Sequence, residues 1–132
     1  MPAIQGYHHM SLTVSDLEAS AAWYQKLFGL ERVLTEEHAG GYAYVFVDPG
    51  SQTYFGLHRH DANGAERFHE SRTGLDHLCF AVADRAELVA WEQRMTELDV
   101  THSPIVDTPY GSVLAFRDPD NIQLELASPP AT

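Results

Sequence analysis

Two short stretches of the chain alternate strictly between apolar and polar or small residues, and each opens on a histidine. In residues 9–14 (HMSLTV) the apolar set is Met10, Leu12 and Val14, against His9, Ser11 and Thr13. In residues 77–82 (HLCFAV) it is Leu78, Phe80 and Val82, against His77, Cys79 and Ala81. Period-two alternation predicts a half-buried strand, with one face on a packed layer and the other free for chemistry. Ser15-Asp16 and Asp84 follow with side-chain oxygens able to cap a helix. Beyond Asp16 the residues Ala19, Ala22, Trp23, Leu27 and Leu30 recur at helical spacing and predict the stripe buried against the sheet. Gly29 is the expected helix stop. Trp23 and Trp91 are expected in the core between helix and sheet.

The two stretches are copies of each other. Residues 9–30 laid on 77–98, an offset of 77 − 9 = 68, match His9 with His77, Val14 with Val82, Asp16 with Asp84 and Ala22 with Ala90. The same offset matches Trp23 with Trp91, Gln25 with Gln93 and Leu30 with Leu98. A fixed-period match means two structural modules of one kind. Further strands are legible at residues 41–47 (GYAYVFV) and 53–58 (TYFGLH), and again at 112–117 (SVLAFR) and 122–127 (IQLELA). Asp48-Pro49 and Asp118-Pro119 supply matching turns between them. The prediction is an α+β chain of two tandem βαβββ modules: module one at 5–58, a polar linker at 59–74 and module two at 75–127.

Composition bounds the function. The 132 residues suit one domain built from two small modules. The single cysteine excludes an internal disulfide and, with no secretory apolar stretch at the start, leads to the expectation of a cytoplasmic protein. No apolar run approaches the ~18–20 residues of a membrane span. A formal charge of −11 argues against nucleic acid, which is bound through clustered Lys and Arg.

Candidate chemistry lies on the polar strand faces. In residues 122–127 the apolar Ile122, Leu124 and Leu126 leave Gln123, Glu125 and Ala127 on the other side, so Glu125 is a mid-strand carboxylate. Such a group is costly on a partly enclosed face unless a cation or a donor compensates it. Two imidazoles and a carboxylate with open positions suit Fe(II) or Mn(II); a further protein ligand would bring in Zn(II) or Ni(II). Each residue also has a plainer reading: a hydrogen-bonded histidine for His9 and His77, a solvated carboxylate for Glu125. His58 falls on the polar face because Phe55 and Leu57 must point the other way. His8 is expected on the opposite face from His9, Cys79 as a small thiol lining the site, and Tyr110 as a loop aromatic within reach of a substrate. His38, His60, His69 and His102 stand in polar stretches and receive no role.

H-x-x-L-x-V-x-D-L before a Trp-Tyr helix, a second H-x-x-F-x-V-x-D, and D-P-D-x-x-x-L-E-L near the end resemble the glyoxalase, bleomycin-resistance and extradiol-dioxygenase superfamily over residues 7–127. The resemblance implies a half-barrel mixed sheet with helices on its convex side and a divalent metal on the concave face. It places His9, His77 and Glu125 at three of four ligand positions. The fourth falls on His58 if residues 57–58 are matched to 124–125, and is vacant if 56–57 are matched to 125–126. No glutamate stands there, unlike in glyoxalase I. The resemblance implies a metal-dependent enzyme acting on a small oxygenated substrate held through adjacent oxygens, either a lyase or isomerase or a dioxygenase. Glu125 and His58 are its expected catalytic groups, and a homodimer is its expected assembly. The alternative is a metal-free protein that sequesters a small molecule, as bleomycin-resistance members do.

Overall fold

Both alternating stretches are strands, and each opens a four-stranded sheet with one helix. The computed structural model describes residues 1–130, in two units that divide between Glu66 and Arg67. The first unit runs β1 (His9–Thr13), α1 (Leu17–Phe28), β2 (Glu31–His38), β3 (Gly41–Val47) and β4 (Tyr54–His60). The second runs β5 (Leu78–Ala81), α2 (Arg85–Glu97), β6 (Val106–Thr108), β7 (Gly111–Arg117) and β8 (Gln123–Ser128). The sheets have one topology, β1-β4-β3-β2 and β5-β8-β7-β6. In each, the first and last strands pair parallel and the remaining pairs are antiparallel. This is the predicted α+β fold of two βαβββ modules.

The helix starts are as anticipated. Asp16 Oδ1 accepts the Ala19 N–H at 3.0 Å, and Asp84 Oδ1 accepts that of Glu87 at 2.9 Å, satisfying donors that an unfinished first turn leaves open. Gly29 ends α1 in the left-handed region, its N–H donating to Gln25 O at 2.8 Å.

The buried stripe of α1 differs from the one expected. Leu17, Ser20, Ala21, Tyr24 and Leu27 face the sheet, while Ala19 and Ala22 are exposed and Trp23 is half-buried. The helix begins at Leu17, and steps of three and four from that residue reach Tyr24, one position past Trp23. Tyr24 is fully buried, with its ring 5.1 Å from that of Phe55 and 6.1 Å from that of Phe28. In the second unit Trp91 is likewise only half-buried, and Leu88 and Met95 carry the helix face. Below the helices, Phe55 and Leu57 on β4 and Leu124 and Leu126 on β8 are buried, so the opposite faces of those strands hold Gly56 and His58, and Gln123 and Glu125.

Strand β4 continues past the expected end of module one, through Arg59 and His60, because β3 offers Tyr42 and Gly41 as partners. Gly41 and Gly111 open equivalent strands. A Cβ on Gly41 would collide with the Arg59 carbonyl oxygen, and one on Gly111 with that of Ser128. The Asp-Pro turns also match: Asp118 Oδ1 accepts the N–H groups of Asp120 and Ile122 at 2.9 and 2.8 Å, and Asp48 Oδ2 accepts that of Ser51 at 2.8 Å. Among the described residues no helix is long and apolar enough to cross a membrane.

Truncation of the smaller aromatic should hurt more than truncation of the larger one. Tyr24→Ala is expected to cost roughly 3–5 kcal/mol, as for aromatics removed from packed cores, and half-buried Trp23→Ala clearly less. Urea unfolding of the two variants gives the comparison.

Candidate metal centre

In the second unit, parallel pairing of β5 with β8 sets Cys79 opposite Glu125 and Leu78 opposite Leu124. The residue before Leu78 is His77, on the same face as Cys79 and diagonal to Glu125. Its imidazole reaches across: His77 Nε2 lies 3.5 Å from Glu125 Oε2. Both side chains are held from behind. The Nδ1 edge of His77 donates to Asp76 Oδ1 at 2.7 Å, which turns Nε2 toward Glu125. Gln123 Nε2 donates to Glu125 Oε1 at 3.2 Å, leaving Oε2 toward the histidine.

This geometry fits a cation. Donors about 2.0–2.2 Å from one ion stand roughly 3.0–3.5 Å apart, and a ligating imidazole commonly gives its other N–H to a carboxylate. Asp76 was not singled out in the sequence, although it directly precedes the repeated histidine. The Asp76 hydrogen bond raises the His77 pKa above the usual histidine value against the lowering effect of burial, and the Glu125 charge adds to the rise. Cys79 lies beside the pair, its thiol pKa pushed up by burial and then by the Glu125 charge.

The first unit repeats the backbone but not the donors. Pairing of β1 with β4 sets Ser11 opposite Gly56, the place that Glu125 takes opposite Cys79. Of the two alignments open to the sequence, the register selects the one that leaves this position without a donor. A Cβ there would stand 2.5 Å from Ser11 Oγ and 3.7 Å from His58 Nε2, so the His58 ring leans over the vacant position. His9 is exposed at the start of β1. His8, expected on the opposite face, instead brings its Nδ1 within 2.8 Å of His9 Nδ1, because it precedes the strand and is not bound by the alternation.

His58 also has company that the sequence did not reveal. His38 Nε2 lies 3.4 Å from His58 Nδ1, and the rings of His38, His58 and His60 are 5.0–5.9 Å apart. Burial lowers the His58 pKa, and the neighbouring His38, His60 and His9 lower it further against the opposing Glu36. The i, i+2 spacing of His58 and His60 was the available signal; His38 joins them only through the β2–β3–β4 register. Tyr110 is almost fully exposed in the turn before β7.

The sequence profile of the glyoxalase/bleomycin resistance protein/dioxygenase superfamily matches residues 6–126. The chain belongs to that superfamily. A solved glyoxylase/bleomycin resistance protein/dioxygenase domain from Frankia sp. EAN1pec is 35% identical, with a TM-score of 0.88 over 96% of this chain and 93% of that one. The fosfomycin resistance protein FosX from Listeria monocytogenes, solved with Mn(II) and 1S,2S-dihydroxypropylphosphonic acid, shares the fold at 24% identity and a TM-score of 0.69, over 95% of this chain and 90% of that one. MhqA of Bacillus subtilis strain 168, which bears the name of a ring-cleaving dioxygenase, is 26% identical over 95% of this chain. The chain spans 40% of the length of MhqA.

The opposed shifts of two histidines are measurable in metal-stripped protein. Ring NMR should show His77 titrating above the ordinary histidine pKa and His58 below it. Asp76→Asn should bring His77 back down, since that carboxylate is the largest cause of its rise. A raised folded-state pKa contributes stability below the unfolded pKa and loses it as pH rises through the folded value. The stability difference between wild type and Asp76→Asn should therefore be greatest where Asp76 is ionised and His77 protonated, and shrink as pH rises across the His77 titration.

Proposed function

We propose that this chain is a divalent-metal-dependent enzyme whose ion is held by His77, Glu125 and His9, and that its reaction is oxygen-dependent cleavage of a small substrate bearing two adjacent oxygens. The observation that carries this reading is the His77–Glu125 pair, spaced as two donors to one ion and held by Asp76 and Gln123. His9 is the third donor by its equivalence to His77 in the repeat. Gly56 in place of a fourth donor supports an open set of two histidines and one carboxylate, the facial arrangement suited to Fe(II) and oxygen chemistry. The likeness to MhqA favours this chemistry over the lyase or isomerase alternative. A bound divalent ion would supply Lewis acidity toward two adjacent substrate oxygens.

The chain's own residues do the rest. Asp76 keeps the His77 proton on Nδ1, and Gln123 fixes the carboxylate of Glu125. His58 is the acid–base group: its Nε2 faces the position over Gly56, and its lowered pKa leaves the ring neutral and able to take a proton at neutral pH. A homodimer is part of the same reading, with Ile4, Tyr7, Val33 and Leu34 among the apolar side chains left exposed on the first unit. Sedimentation should give twice the chain mass of 14.7 kDa.

Glu125→Ala should lose the ion held with His77, and turnover with it, while the fold is retained, by circular dichroism and elemental analysis. Asp76→Asn should weaken metal binding by about 10–100-fold, as loss of an orienting partner does. His58→Ala should keep the ion at His77 and Glu125 while turnover falls by about 10²–10⁴-fold. Oxygen uptake by Fe(II)-loaded protein over a panel of catechols and hydroquinones tests the reaction. Turnover of an epoxide with Mn(II), without oxygen uptake, would move the assignment to a lyase. Failure to retain any divalent ion would move it to a sequestering protein.

A further inference from the structure

We propose that His38, His58 and His60 form a second metal site, separate from the one at His77 and Glu125 and specific for a transition ion that prefers imidazole, with zinc(II) as the type case. The three side chains come from β2 and β4, the strands flanking β3, and meet above β3 on the face away from the helix. The register explains the meeting. His38 pairs with Gly41, Gly41 pairs with His60, and His58 follows two residues before His60 on the same face. The strand between the histidines contributes a glycine at the crossing point. A Cβ there would lie 2.8 Å from His38 Cε1, so any other residue would push the His38 ring away from the other two.

Donor atoms of the three rings all lie within 4.8 Å of one another. One pair, His38 Nε2 and His58 Nδ1, is 3.4 Å apart, which matches the roughly 3.3–3.4 Å between nitrogens bound to one tetrahedral zinc at about 2.0–2.1 Å. The other ring nitrogen of His38 faces the Ala39 carbonyl oxygen at 3.3 Å, so its proton sits at Nδ1 and the lone pair of Nε2 points into the cluster. His60 stands at the strand end with its ring 5.0 Å from that of His38 and stacked 5.9 Å from that of His58. Glu36, two residues before His38 on the same face, lies in line with His58 across Ala43. Three imidazoles and a carboxylate or water suit Zn(II), Ni(II) or Cu(II).

The two nitrogens of His58 face different neighbours, Nδ1 toward His38 and Nε2 toward Gly56. An ion on Nδ1 puts the ring proton on Nε2, so a filled second site turns His58 from a proton acceptor into a hydrogen-bond donor on the Gly56 side.

The test counts zinc in the full chain after stripping and dialysis at micromolar free zinc. Wild type should hold two ions per chain. Glu125→Ala should hold one, and His38→Gln and His60→Gln should each hold one. Glu125→Ala combined with His60→Gln should hold none. Imidazole nitrogen NMR of the Glu125→Ala protein should show zinc at His58 Nδ1 with the proton on Nε2. A Glu125→Ala protein that binds no zinc, or full wild-type stoichiometry in both His38→Gln and His60→Gln, overturns the proposal. A wild type holding one ion that His60→Gln removes and Glu125→Ala does not would instead uphold this site and overturn the one at Glu125.

Discussion

The parallel pairing of first and last strands is the constraint on which the rest of each unit depends. A parallel pair needs a long crossover, and here the crossover is the helix and the other two strands. The pairing joins the two ends of each module, β1 with β4 and β5 with β8. It thereby sets residues from the start of a module beside residues from its end. Glu125 can approach His77 only because Cys79 pairs with Glu125, and Gly56 meets Ser11 by the same rule. The apolar face of each last strand locks the register, since a slip of one residue would turn Leu124 and Leu126 outward and bury Glu125 without compensation.

On this shared frame the halves have divided their chemistry. The second unit orients its donors tightly: a carboxylate behind the histidine, an amide behind the carboxylate. The first unit has histidine where the second has aspartate, at His8 and Asp76, and glycine where the second has glutamate. Its remaining imidazoles gather farther along β4. The backbone duplication is thus close to exact while the side-chain duplication is selective.

Much of this was legible in the chain. The repeat, the alternation around each histidine and the face of Glu125 all follow from period-two patterning, and the helix caps follow from Asp16 and Asp84. The less legible parts have physical reasons. Strand β2 is exposed along nearly its whole length, with a bulge between Arg32 and Leu34, so it carries no apolar alternation to read. Strand β6 spans three residues. The phase of α1 departs from the one expected because helix geometry counted from Leu17 selects Tyr24 over the larger hydrophobe Trp23. His38 looked inert because its partners are 20 and 22 residues away in sequence and are joined to it only by strand pairing. Asp76 is not legible in the sequence because nothing local marks an orienting carboxylate.

The paired glycines that open β3 and β7 give the fold a form of proofreading. At both places the neighbouring strand's carbonyl oxygen fills the space a side chain would need. A pairing shifted by one residue would bring Tyr42 in the first unit, or Ser112 in the second, to the spot where no Cβ fits. Such an error meets hard-core repulsion in addition to the cost of its misplaced hydrophobic contacts. Each half therefore checks its own hairpin by collision, and does so at the edge from which its last strand is aligned.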